Sequence, residues 1–173
     1  MNQPSGLNWR LAGDPAVLLA CGLGSGFLPR APGTWGSLLA VLLWWLFFLG
    51  SPLPVQLAAV AVVFVAGTLL IARVQRIHKV IDDGALVIDE VAGQWIVLIG
   101  IGMAAPEAAG TRLLLYLAGG FGLFRLFDIW KPWPIRTVER TVSGALGVML
   151  DDVVAGLMGL SVLLITLWLI ANF

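Results

Sequence analysis

Charge is what this 173-residue chain has least of: 12% of its residues are Asp, Glu, Lys or Arg, against 60% hydrophobic. A soluble domain carries about a quarter charged residues, so that scarcity, with a mean hydropathy of +0.97, excludes a soluble globular protein. Ten acids balance ten bases, which removes any global basic signal for nucleic acid. The lone Cys21 rules out an intrachain disulfide and a thiolate metal cage. It reads as a small core residue rather than a nucleophile. The single His78 lies in a basic loop and reads as a surface residue rather than a general base. No basic n-region precedes the apolar run Ala16 to Leu28, so that run is expected to stay in the mature protein.

What the chain has in abundance is apolar sequence. At about 20 residues per crossing there is room for about four or five spans and for no separate soluble domain, so residues 1–173 read as one membrane domain. The expected fold is all-α and polytopic. Ala16 to Leu28 is too short to cross and reads as a re-entrant or interfacial helix. Ser37 to Leu49 follows a Pro/Gly-rich turn, and either extends back through Thr34 or dips without spanning. Val55 to Ala72 is the cleanest span, followed by a polar loop from Arg73 to Gly84. Further spans are expected over Leu86 to Ala105, Thr111 to Trp130 and about Leu150 to Ile170. Gly22, Gly24 and Gly26 lack a preceding strand and do not fit a dinucleotide fingerprint; they suit close helix packing.

Basic residues set the orientation. Arg73, Arg76 and Lys79 share one loop and Arg125, Lys131, Arg136 and Arg140 surround another, while Ser51 to Pro54 and Met103 to Thr111 hold none. The positive-inside rule makes the two basic loops cytoplasmic. Seven of the ten acids adjoin those loops: Asp82, Asp83, Asp89 and Glu90; Asp128; Asp151 and Asp152. Topology therefore gathers them at one membrane face. Ionised groups beside hydrocarbon are expensive, which makes each a candidate for function.

The local patterns carry different chemistry. Asp89 and Glu90 open a helix, where the macrodipole favours negative charge; helix initiation and metal ligation both account for them. Arg125, Asp128 and Lys131 recur every three residues and form a ladder if the helix continues; an interface anchor is the other account. Asp151 and Asp152 sit among Val148, Met149, Leu150, Val153 and Val154, where a bound cation would offset their repulsion. Adjacent helical residues diverge by about 100°, so one can ligate while the other orients a neighbour. The turn Leu28 to Ser37 offers backbone amides, the Thr34 and Ser37 hydroxyls and Arg30 to a phosphate; simple helix entry, with Thr34 or Ser37 as N-cap, is the alternative.

Four ordered blocks, APGTWGS (Ala31 to Ser37), DDGALVIDEVAGQW (Asp82 to Trp95), FRLFDIWKPWPI (Phe124 to Ile135) and GALGVMLDDVVAG (Gly144 to Gly156), resemble those of the phosphatidylglycerophosphatase A family. The resemblance runs from about Gly22 to Gly156. It implies a bacterial inner-membrane, Mg2+-dependent phosphatase that converts phosphatidylglycerophosphate to phosphatidylglycerol and phosphate, with its active site facing the cytoplasm. Carried over residue by residue, it implies catalytic and metal-binding roles for Asp89, Glu90, Asp128, Asp151 and Asp152, with Asp82 in support. Arg125 and Lys131, with Gly33, Thr34 and Ser37, are then expected to bind the substrate phosphate. Asp83 falls where the family varies and reads as a loop residue. The blocks lack the Asp-x-Asp of aspartate-nucleophile phosphatases and the histidine set of phosphohistidine enzymes, so a Mg2+-activated water is the expected nucleophile, with an aspartyl-phosphate route as the alternative. The competing class is a small cation transporter or channel subunit, which would string acids across the bilayer midplane rather than at helix ends.

Overall fold

The computed structural model describes residues 6–81 and 83–173. Among these residues every regular element is helical. α1 is Pro15–Ala20, α2 Pro32–Phe47, α3 Leu53–His78, α4 Ile88–Ala104, α5 Gly110–Trp130, α6 Ile135–Thr141 and α7 Gly144–Asn172, with 3-10 turns at Trp9–Leu11 and Gly22–Phe27. Three of them, α3, α5 and α7, are long and apolar enough to cross a membrane, and α2 is a shorter apolar helix.

The path alternates up and down. Short connections at residues 48–52 and 105–109 close one end, while 79–87 and 131–143 lie at the other with the starts of α2, α4 and α7. This arrangement brings Asp89, Glu90, Asp128, Asp151 and Asp152 to one end of the bundle, as the loop charges implied. Glu107 is the acid at the opposite end.

α4 is the centre. Every residue from Val91 to Ile101 is buried, and α2, α3, α5 and α7 all pack on it. Beyond its acidic first turn the helix is apolar on all sides but for Gln94, which suits such an environment, and at 17 residues it rises only about 25 Å against a hydrocarbon core of about 30 Å. Protein rather than lipid coats it, so the shortfall exposes no backbone. The outer helices turn large apolar side chains outward, among them Val62, Val65 and Leu69 on α3, Leu115 on α5 and Ile165 on α7.

The closest approach is between α4 and α7. A Cβ on Gly93 would lie 2.5 Å from the Asp152 carbonyl oxygen and 2.5 Å from a Phe124 ring carbon; one on Gly156 would lie 2.5 Å from the Gly93 carbonyl oxygen. Only glycine lets the two backbones meet there. Gly93 follows Glu90 by three residues and Gly156 follows Asp152 by four, so the contact that joins the helices also sets their acids face to face.

Several boundaries differ from those expected. Residues 73–78 form the last turns of α3 rather than a loop: Ile71 and Val74 stay buried while Arg73 and Arg76 face outward. Hydropathy marks where lipid ends, whereas the helix runs on until Lys79 turns left-handed at φ 55°. α7 begins at Gly144, not near Leu150, which puts Asp151 and Asp152 inside the helix. α6 was not expected at all, since Pro132 and Pro134 obscure a seven-residue helix. The expected N-terminal helix is broken into α1 and a 3-10 segment because Gly22, directly after the Cys21 cap, turns left-handed at φ 55°, followed by Leu23 and Gly24 at 54° and 96°. At Gly24 a side chain would also strike the Trp9 ring. Neither Thr34 nor Ser37 caps α2: its N-cap is Ala31, without a side-chain bond, and the Ser37 hydroxyl donates to the Gly33 carbonyl at 2.8 Å. His78 is only partly exposed and stands 3.9 Å from Asp14, the N-cap of α1.

The Gly93 contact yields a stability prediction. Gly93→Ala forces a methyl onto backbone that cannot yield and should cost about 1–3 kcal/mol, seen as a lower thermal midpoint in detergent. Gly119→Ala, where nothing lies within 4 Å of the new methyl, should leave the midpoint unchanged or slightly raised. Equal effects would contradict the packing assigned to Gly93.

Candidate active site

α4 and α7 supply the core of the site. Asp89, Glu90 and Asp152 each offer a carboxylate oxygen, and these oxygens lie within 4.8 Å of one another. Asp89 Oδ1, Glu90 Oε2 and Asp152 Oδ2 are buried without any hydrogen-bond partner. The other two acids are neutralised. Asp128 Oδ2 accepts from Arg125 Nη1 at 2.7 Å, and Asp151 Oδ2 accepts from Lys131 Nζ at 2.7 Å. Asp151 and Asp152 thus divide as their 100° divergence on α7 requires, one toward Lys131 and the other toward α4.

The expected ladder stops at its second rung. Arg125 and Asp128 pair across one turn of α5, but Lys131 is the C-cap of that helix at φ 45° and turns away to Asp151 and Glu139, both at 2.7 Å. Burial opposes charge on this ammonium, but its bonds to Asp151 and Glu139 outweigh that and hold Lys131 above the ordinary lysine range. It stays a cation throughout the physiological range.

A cavity of about 310 Å³ opens onto the cluster, walled by Asp89, Glu90, Asp128, Lys131, Asp151 and Asp152, with Ile81, Asp83, Gly84 and Leu86 on one side and Val142, Ser143, Gly144 and Gly147 on the other completing its lining. Arg125 stands behind it, with Nη1 3.9 Å from Glu90 Oε1 and donating to Ser37 Oγ at 3.4 Å. The start of α2 presses on the same pair: a Cβ on Gly33 would overlap Glu90 Oε1 and lie 3.0 Å from Arg125 Nη1. Gly33 and Ser37 therefore support Glu90 and Arg125 from behind, and Thr34 is partly buried in the same turn. Asp83 lines the cavity mouth but is occupied with backbone, accepting from Leu7 N at 2.7 Å and Ala85 N at 3.0 Å. Asp82 lies outside the described residues.

Five carboxylates here have two cations among them, and the deficit falls on Asp89, Glu90 and Asp152. Ionised together, three buried carboxylates would be strongly unfavourable without a counter-charge. Their unpartnered oxygens are the right donors for a hard divalent cation, so the residues fit a metal such as magnesium. Glu139 is the site residue that sequence reasoning passed over, because its link to Lys131 depends on the fold of α6. Gly93 and Gly156 were overlooked too, although each stands one turn past an acid within the blocks DEVAG and DDVVAG.

Bundle and cavity together define a polytopic helical membrane protein with an acid-rich, cation-buttressed site at one end. A family model described as Phosphatidylglycerophosphatase A matches residues 18–167, and the chain belongs to this family. It is 41% identical over 152 residues to phosphatidylglycerophosphatase A of Escherichia coli K12, covering 87% of this chain and 82% of that one. The Haemophilus influenzae protein of the same name is 37% identical over 144 residues, 83% of each chain. A Bacteroides thetaiotaomicron protein provisionally named a phosphatidylinositol-3-phosphatase is 37% identical over 157 residues, covering 89% of this chain and 94% of that one. No solved structure gives a significant match.

Proposed function

We propose that this chain, acting as one domain over residues 1–173, is a magnesium-dependent phosphatase of the bacterial inner membrane that hydrolyses phosphatidylglycerophosphate to phosphatidylglycerol and inorganic phosphate. The observation that carries the reading is the buried set Asp89, Glu90 and Asp152 beside a cavity: one carboxylate oxygen from each lies within 4.8 Å of the others, and each residue has an oxygen without a hydrogen-bond partner. Family membership supports the substrate class. The two substrates named among the relatives differ in polyol, but each joins a phosphomonoester to a lipid phosphodiester.

Asp89, Glu90 and Asp152 would hold the magnesium, which supplies neutralisation of phosphoryl oxygens and an acidified attacking water. Lys131, at the cavity wall, attracts the phosphomonoester and holds it for in-line attack. Arg125 acts from behind Glu90, and Gly33, Thr34 and Ser37 fix the turn that backs it. Asp128 aims Arg125 and Asp151 aims Lys131, so each carboxylate keeps its cation in place and charged. In the reaction a water oxygen forms the new bond to phosphorus. The ester P–O bond to glycerol breaks, and the glycerol oxygen leaves carrying a proton. Asp82 is assigned a supporting role from the family block alone. A cation pathway finds no support among the described residues, because the acids collect at one end with only Glu107 at the other.

Phosphate release by purified protein tests the reading. Wild type should hydrolyse phosphatidylglycerophosphate with magnesium and stop in EDTA, while Asp152→Asn should lose about 100-fold or more of the activity and remain folded. Full activity in the folded variant would remove Asp152 from the site. Sidedness is checked by thiol labelling: Arg76→Cys should react only from the cytoplasmic face and Glu107→Cys only from the opposite face. Cys21 gives little background, since burial, with Asp83 nearby, pushes its thiol up to about 12. The reverse pattern would overturn the cytoplasmic orientation.

A further inference from the structure

A second cavity adjoins the first. It has a volume of about 290 Å³ and is lined by the Trp130–Trp133 turn together with Arg136, Thr137 and Arg140. Lys131 borders both cavities and donates to Glu139, which lines the first. Arg136 and Arg140 are four residues apart, hence on one face of α6. Among the described residues neither guanidinium takes part in an ion pair, because the neighbouring Glu139 is held by Lys131. The indoles of Trp130 and Trp133 are 64% and 80% exposed beside them, an arrangement suited to the headgroup layer of a bilayer.

The two cavities differ in electrostatic sign. The first is crowded with carboxylates and needs a divalent cation before any phosphate can enter. The second is cationic as it stands. Guanidinium forks match phosphate oxygens, and Thr137 adds a neutral hydroxyl donor. We propose that the α6 groove binds the internal phosphodiester of an anionic glycerophospholipid, and so selects substrates bearing a second phosphate, through Arg136, Arg140 and Thr137. The claim rests on the reading that the acid cavity receives the terminal phosphomonoester, with the polyol lying across the Lys131–Glu139 pair. A lipid with one phosphate, such as phosphatidic acid, could fill only one of the two cavities.

Because the groove needs no metal, it can be tested apart from catalysis. In EDTA and neutral detergent, wild type should retain short-chain phosphatidylglycerol over diacylglycerol, which lacks the diester. The Arg136→Ala/Arg140→Ala variant should weaken that retention by about tenfold. Arg73→Ala/Arg76→Ala, which removes two cations at the same end but outside the groove, should bind as wild type. Inorganic phosphate at equal concentration should not displace the lipid. In turnover of phosphatidylglycerophosphate the groove variant should raise KM by a similar factor and leave kcat within about twofold. Three results would each overturn the proposal: undiminished retention by the groove variant, an equal loss in the Arg73/Arg76 variant, or displacement by free phosphate. Selective retention by a wild-type protein that releases no phosphate would sink the phosphatase reading and leave the groove intact.

Discussion

Three buried carboxylates, each with one oxygen that has no hydrogen-bond partner, brought together where α4 crosses α7, are the constraint around which this protein is built. The crossing is held by backbone on backbone at Gly93 and Gly156, so the helices cannot separate without losing their closest contact. A buried carboxylate cluster of this kind is a weak source of stability and has the donor set of a cation site. The neighbouring acids show the alternative. Asp128 and Asp151 each have a cation at 2.7 Å, so the fold can pair carboxylates where pairing is what it needs.

The remaining architecture serves that cluster. α4 carries two of the acids and is enclosed by four helices, which holds its first turn rigidly at the polar end. The outer helices meet lipid with Leu, Val and Ile and can afford few charges along their length. α2 backs Glu90 through Gly33, and the N-terminal segment closes the same end, with Val87 N donating to the Ala20 carbonyl at 3.0 Å. Basic residues concentrate there as well. Arg125 and Lys131 pair with acids there, while among the described residues Arg136 and Arg140 form no ion pair.

Much of this was legible before any coordinates. Apolar runs located the long helices, because lipid imposes length and composition together. Alternating loop charge brought residues 60 positions apart to one end, and the block resemblance pointed to the five acids. Less legible was what depends on angle and depth. Hydropathy ended α3 at Ala72, although the helix continues to His78 with Arg73 and Arg76 in a polar setting. Spacing suggested a ladder through Lys131, yet a left-handed residue at that position redirects the side chain to Asp151 and Glu139. The separation of Asp151 from Asp152 could be anticipated from helical geometry, but which one faced α4 could not.

The proposed role of Asp89, Glu90 and Asp152, gathered at the α4–α7 crossing, is to hold a divalent cation. The most direct measurement is the thermal midpoint of the purified protein as magnesium is titrated from EDTA, for wild type and for Asp89→Asn/Glu90→Gln/Asp152→Asn. The wild-type midpoint should climb with magnesium, as binding to the folded state requires. The neutral variant should start higher in EDTA, freed of three buried acids, and then stay flat. A wild type indifferent to magnesium, or a variant that climbs equally, would contradict the account.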